Sequence, residues 1–297
     1  MFSYRHGFHA GNHADILKHA VLLAVIDHFR EKPGGFWLVD THAGAGLYDL
    51  RGTWANKKAE YLDGIARLWE SKTTPPMIER YLKAIAQVNP DDTLTLYPGS
   101  PWLALQDLRA QDKVKLFELL GAEFEMLRKN LTQYRGLAPR AVSADKSDGL
   151  AAIKAILPPP TKRAIVLIDP AYENKQDYRL VAQALNEAIQ RFPTGCYLVW
   201  YPRVNRREVE QLRRQLQRLK ASPPVTWLDV NLTVCKSPKD GHGLFGSGMF
   251  VINPPFRLNQ QLKETLPWLT KTLAQDASAR WELETGRRKV EPRQADD

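Results

Sequence analysis

Polar and apolar positions along the chain follow two periods. Short apolar runs bounded by turn-forming residues recur at 36–39, 114–118, 141–144, 164–168, 196–200, 225–232 and 248–252, and each predicts a β-strand. Between most of them, apolar residues spaced three and four apart predict helices at 123–131, 147–156, 178–191 and 206–221. One more helix, at 14–29, precedes the first strand, with Asn12 as its cap and Ile16, Leu17, Ala20, Leu23, Ala24 and Ile26 on its apolar side. This alternation predicts an α/β fold with a seven-stranded, mostly parallel sheet and helices on both faces. The gap between the first two strands is too long for one crossover. It holds helical patterns at 61–69 and 77–88, so residues 53–95 are expected to form an inserted helical subdomain. Tyr97-Pro98-Gly99-Ser100-Pro101 then reads as a stiff turn entering another helix. On this division the main domain comprises residues 1–52 and 96–275. Residues 276–297 are charged and poor in periodicity, and are expected to be a mobile tail.

The first strand ends in Asp40-Thr41-His42-Ala43-Gly44-Ala45-Gly46. Glycines at the carboxyl end of a buried strand let the backbone approach a ligand where side chains would obstruct it. A dinucleotide fingerprint would need a third glycine at position 49, which is Asp49, so that motif fails. An acid before Gly-x-Gly is common in S-adenosylmethionine sites, where the carboxylate faces a cationic amino-acid end. Two further acids stand where such a donor needs them. Glu118 closes the second strand, a usual place for a carboxylate that accepts ribose hydroxyls. Asp148-Gly149 follows the third and suits the donor's adenine; Asp145 competes for that role, and either acid also fits a helix N-terminus.

The fourth strand runs Ile165-Val166-Leu167-Ile168 and exits as Asp169-Pro170-Ala171-Tyr172. This exit resembles the Asp-Pro-Pro-Tyr motif of enzymes that methylate the exocyclic N6 amine of adenine. The chemistry can be argued separately from the resemblance. That amine is a poor nucleophile because its lone pair is delocalised into the ring. The Asp169 carboxylate and the Pro170 carbonyl can accept its two N–H groups and favour a tetrahedral nitrogen aimed at a methyl donor. Proline fixes φ and so presets its carbonyl, and Tyr172 is expected to stack on an extruded base. Ala171 departs from the motif and removes one conformational lock. Asn253-Pro254-Pro255-Phe256 matches the wider motif more literally, but follows the seventh strand, farther from the glycine loop, and reads as a structural strand exit.

Composition adds partners and compartment. Lys and Arg outnumber Asp and Glu by 42 to 33, a net charge of +9 that favours a polyanionic partner. Arg203, Arg206, Arg207, Arg213, Arg214 and Arg218 make the fifth βα unit strongly basic, a candidate phosphate-binding face. Six of the seven histidines fall within the first 42 residues, yet their spacing does not support a metal site over a polar cleft. Cys196 and Cys235 lie in apolar runs and read as thiols in a reducing cytoplasm. No apolar run approaches a membrane span, and the N-terminus lacks a signal peptide's apolar core, so a cytoplasmic protein is expected.

Taken together, Tyr4-Arg5-His6-x-Phe8-His9-Ala10-Gly11-Asn12-His13-Ala14-Asp15, Leu17-Lys18-His19, the 40–46 loop, Tyr97–Pro101 and Asp169-Pro170-x-Tyr172 resemble the RlmJ family, bacterial 23S ribosomal RNA (adenine-N6)-methyltransferases. The resemblance covers roughly residues 1 to 270. It implies a Rossmann-like methyltransferase fold with an inserted helical subdomain, working as a monomer on 23S rRNA with S-adenosyl-L-methionine. It also implies that His19, His42, Ser100, Glu118, Asp148, Gly149 and Asp169 contact the donor, with Asp169 the catalytic acceptor. Tyr4, His6 and Lys18 would engage the RNA or target adenine, beside Pro170 and Tyr172. Two other readings stay open on the residues alone: an adenine-N6 DNA methyltransferase, and a non-catalytic nucleic-acid-binding protein serving use of external DNA.

Overall fold

The computed structural model describes residues 6–134, 141–238 and 243–287. Asn12 caps α1 (His13–Arg30) by accepting the Ala14 and Asp15 N–H groups, and the chain then enters β1 (Trp37–Asp40). A small antiparallel ribbon, β2 (Leu47–Asp49) with β3 (Leu96–Pro98), brackets α2 (Thr53–Lys58), a 3-10 turn (Glu60–Asp63), α3 (Ile65–Trp69) and α4 (Pro76–Ala86). Next come α5 (Ser100–Gln106), β4 (Lys113–Phe117), α6 (Gly121–Gln133), β5 (Val142–Asp145), α7 (Gly149–Ile156) and β6 (Ala164–Ile168). The last third holds α8 (Lys175–Arg191), β7 (Cys196–Arg203), α9 (Arg207–Gln217), β8 (Thr226–Thr233), β9 (Gly246–Ile252), α10 (Leu258–Leu273) and β10 (Arg280–Arg287).

The main sheet has eight strands in the order β10-β8-β9-β7-β6-β1-β4-β5. The five from β7 to β5 are parallel, whereas β9, β8 and β10 alternate in direction. The side-chain period of two divides each central strand between two apolar layers. In β6, Ile165 and Leu167 pack with α1, α4, α5 and α10, while Val166 and Ile168 pack with α7, α8 and α9. The sheet is thus covered on both faces, as the βαβ alternation predicts.

Two features depart from the sequence reading. Residues 280–287, expected within a mobile tail, form an edge strand against β8. Its charged, mostly exposed residues hide the apolar alternation, which is how edge strands avoid pairing with other chains. The helices within 53–95 have no core of their own. Ile65, Leu68, Ile78, Tyr81 and Ile85 join the apolar layer of α1 and the sheet. They also hold the N-terminal loop: Glu60 accepts from Asn12 at 2.9 Å and pairs with His9 at 2.9 Å, and the Ile65 N–H donates to the Gly11 carbonyl at 2.8 Å. Through these contacts they fix the entry to α1 and therefore the side chains on its first turns.

Candidate active site

Strands β1 and β6 are neighbours in register, Asp40 opposite Leu167, so their exits open side by side. A crevice of about 250 Å³ lies over these ends. It is lined by His6, Lys18, His19, His42, Gly44, Ser100, Glu118, Asp148, Asp169 and Pro170 among others. The structure thereby gathers residues from seven separate stretches of chain. Tyr4 lies outside the described residues, and Gly149 does not line the crevice. A Cβ at Gly149 would stand 2.3 Å from the Thr41 carbonyl oxygen, so this glycine serves the close approach of α7 to β1.

The glycine loop is set from below by carboxylates. Glu118 accepts the Gly44 N–H at 2.8 Å and the Leu120 N–H at 2.7 Å. Burial raises its pKa, with these amides pulling the other way. Gly44 has a φ of +58°, and a Cβ there would collide with the Tyr48 hydroxyl at 2.4 Å, so only glycine fits. Asp40 does not face the crevice as expected. It is fully buried, accepts the Ser100 hydroxyl at 2.7 Å and the His42 N–H at 3.2 Å, and burial lifts its pKa to about 6. Its work is to hold the loop and the α5 entry together.

Two imidazoles line the crevice as neutral groups. Burial lowers His42 to about 4, and its Nδ1 meets the Thr41 hydroxyl at 2.8 Å. His19 is fully buried and is also held well below its usual pKa by desolvation. Its Nδ1 meets the Tyr97 hydroxyl at 2.8 Å, and that oxygen meets Tyr81 at 2.7 Å, but Nε2 is buried without a partner. An orphaned ring nitrogen in a crevice wall is what a polar ligand would satisfy. Asp148 caps α7 by accepting the Leu150 and Ala151 N–H groups, at 2.8 and 3.2 Å, while still lining the crevice. The competing Asp145 is exposed and is not among the lining residues.

At the far end, Asp169 sits in a buried chain of charges. Lys18 Nζ lies 2.6 Å from Asp169 Oδ2 and 2.7 Å from Asp15 Oδ1; Asp15 Oδ2 meets His6 Nε2 at 3.0 Å. Desolvation alone would lower Lys18, but the two carboxylates outweigh it and raise its pKa, so it stays charged. Asp169 is raised by burial against the pull of Lys18. Asp15, one helical turn before Lys18, belongs to the motif that carries the resemblance but has no role assigned from sequence, although an acid and a lysine three apart on one helix are a readable signal. The apolar lining from Leu119, Leu150 and Leu180 was also missed, because isolated leucines carry no motif.

Tyr172 is more enclosed than an open stacking platform. Its ring is 2% exposed, its hydroxyl donates to the Trp200 carbonyl at 2.8 Å, and it packs on Tyr178 with centroids 4.5 Å apart. Its backbone has a left-handed φ of +51°, and the residue forms part of the wall of a second cavity beside Asp169. Asn253 is placed by β9, which runs against β7, so its exit lies at the opposite edge of the sheet from Asp169. Its amide donates to the Pro193 and Gly195 carbonyls at 2.7 and 2.8 Å. The basic run is also divided: Arg213 is buried against Asp229 at 2.9 Å, which removes it from any phosphate-binding face.

Among the described residues, no helix is long and apolar enough to cross a membrane, and no group of three or more His, Cys, Asp and Glu side chains is placed to hold a metal ion. Comparison with known proteins gives a consistent answer. The sequence profile described as ribosomal RNA large subunit methyltransferase D, RlmJ, matches residues 33–285. A Haemophilus influenzae protein named ribosomal RNA large subunit methyltransferase J is 42% identical over 285 residues, covering 96% of this chain and 98% of the relative. Its Escherichia coli namesake is 42% identical over 273 residues, with 92% and 94% covered. A Legionella pneumophila crystal structure superposes with a TM-score of 0.83 at 33% identity, over 94% of this chain and 98% of that one. With its crevice, its acid-proline strand exit and these full-length likenesses, the chain belongs to the RlmJ family of ribosomal RNA large subunit methyltransferases.

Proposed function

We propose that this protein transfers a methyl group from S-adenosyl-L-methionine to the exocyclic N6 of an adenine in 23S ribosomal RNA. The observation that carries this reading is the place of Asp169. It ends a parallel strand beside the glycine loop, lines the donor crevice, and keeps 13% of its side chain accessible while Lys18 holds only Oδ2. The donor supplies a methyl on a sulfonium whose sulfur leaves as a neutral thioether.

The residues present suit that donor. Glu118 would take the ribose hydroxyls, and Asp148 with the leucine lining would take the adenine. With Tyr97 donating to Nδ1, the orphaned His19 Nε2 carries the proton and would meet the donor's carboxylate; His42 and Ser100 complete that wall. Asp169 Oδ1 and the Pro170 carbonyl would accept the two N–H groups of the target amine and draw its lone pair out of conjugation. Lys18 would favour the ionised form of Asp169 against the effect of burial and orient it, and Asp15 would fix Lys18. One amine proton is lost as the new C–N bond forms, and it leaves along the hydrogen bond to the Asp169 side. Most of the rate then comes from position and preset dipoles.

The protein would act in the cytoplasm and as a single chain, the second of which light scattering of the purified protein tests. The function is tested by tritium transfer from labelled donor to 23S rRNA, with duplex DNA alongside, followed by nucleoside digestion. N6-methyladenosine from rRNA is expected, with Asp169→Ala inactive but still binding S-adenosylhomocysteine. Full activity in that variant, or label confined to DNA, would overturn the reading.

A further inference from the structure

A second cavity, of about 270 Å³, also borders Asp169. It shares Lys18 and Asp169 with the donor crevice and adds, among others, Tyr172, Tyr178, Trp200 and Arg206. An in-line transfer places the nucleophile opposite the leaving sulfur. This cavity gives an acceptor strand a route to Asp169 apart from the rest of the donor crevice.

Of the arginines in the basic run, Arg206 is the one on this cavity's wall, and its surroundings differ from those of its neighbours. Arg203 and Arg213 are both paired with Glu210, and Arg213 also with Asp229. Arg206 is exposed and makes no ion pair among the described residues. It stands at the N-cap of α9, a position favouring short oxygen-bearing side chains, yet its side chain does not cap the helix. Instead Nη1 donates to the Tyr172 carbonyl at 3.0 Å. Tyr172 ends the Asp169–Tyr172 turn and carries the left-handed φ of +51°. The guanidinium therefore touches the catalytic turn through one N–H, lies beside the Tyr178 hydroxyl, and forms part of the cavity wall. Arg207 and Arg214 lie exposed on the helix that follows. A planar, permanently charged fork without a carboxylate partner suits a phosphodiester better than any other group of an RNA strand.

We propose that Arg206 binds a backbone phosphate beside the target nucleotide and, through the Tyr172 carbonyl, joins RNA engagement to the position of the Asp169 turn. This rests on the nucleic-acid reading above. It makes Arg206 a substrate-binding residue that reads backbone and not base, so it positions the strand without selecting sequence.

The test compares wild type, Arg206→Gln and Arg206→Lys with 23S rRNA fragments at saturating donor over a range of salt. Arg206→Gln is expected to raise KM for RNA about tenfold, with a smaller change in kcat. It should also lower the slope of log affinity against log salt by about 0.7 to 1, the loss of one phosphate contact. Arg206→Lys should restore the salt slope, since it restores the charge. Binding of S-adenosylhomocysteine, followed by calorimetry, should match wild type in both variants. An unchanged KM and salt slope in Arg206→Gln would overturn the proposal. So would a fall in kcat at constant KM, which would confine Arg206 to supporting the turn. Should the glutamine variant fail to fold, Arg206→Lys decides: a salt slope unlike wild type would overturn the proposal, and a wild-type slope with a raised KM would support it. Failure of the functional reading itself would look different, since wild type would then not methylate rRNA.

Discussion

Two strand exits in this molecule share an Asx-Pro start, and they do opposite work. Asp169-Pro170-Ala171-Tyr172 leaves β6 and Asn253-Pro254-Pro255-Phe256 leaves β9, and each turn holds a residue at left-handed φ, +51° at Tyr172 and +53° at Asn253. The second is the more literal match to a nucleic-acid methyltransferase motif. Yet β9 is antiparallel to its neighbour, so its carboxyl end emerges at the edge of the sheet away from the glycine loop. There the Asn253 amide is spent on two main-chain carbonyls, and Phe256 stands 72% exposed. At the first exit the acid is left partly open, held by one lysine and facing two cavities. Strand direction, which a four-residue motif does not encode, decides which exit has chemistry to do.

The contrast can be broken at its strongest point first. Asp169→Asn should reduce rRNA methylation on the order of a thousandfold, about 4 kcal/mol of barrier, while S-adenosylhomocysteine affinity measured by calorimetry stays near wild type. Retained turnover would put the acceptor elsewhere. Lys18→Met leaves Asp15 and Asp169 buried without their shared cation, so urea unfolding should show a loss of about 3 kcal/mol. A variant as stable as wild type would mean that the charge chain is not a unit. At the other exit, Asn253→Ala abandons two carbonyls and puts alanine at a positive φ. Its unfolding free energy should fall by about 2 kcal/mol, with methylation per folded molecule unchanged. Any loss of turnover beyond the unfolded fraction would tie that exit to the site. Smallest is Tyr172→Phe, which deletes the hydroxyl bonded to the Trp200 carbonyl. About 1 kcal/mol of stability should go, with KM for RNA little changed, because the aromatic ring is kept and only a bond to a main-chain carbonyl is lost. A large rise in KM would instead tie the Tyr172 hydroxyl to RNA binding.

The acids show how far residues alone lead. Asp40, Glu118, Asp148 and Asp169 all stand at or just after strand ends, and the pattern places all four near a ligand. Packing then separates them. Asp40 is closed off by Ser100 and the loop it anchors, whereas Glu118 and Asp148 bond the backbone and still line the crevice. The same holds for the arginines of α9, where helical spacing turns Arg213 inward onto Asp229 and leaves Arg206 at a cavity wall.

By itself, the sequence determined the parallel half of the sheet, the helices on both faces, the glycine loop and the acid-proline exit. Each of these is written in local terms: a hydrophobic period, a residue that alone tolerates a given φ, or a short run of set chemistry. Only the tertiary structure decided that Asp15, Lys18 and Asp169 form one chain of charges across 151 residues of separation, that Tyr172 is buried, and that a charged segment at 280–287 completes the sheet. Those outcomes depend on strand order, on strand direction and on which face of a helix meets a neighbour. Such facts are set by the packing of the whole chain, and no single stretch of it carries them.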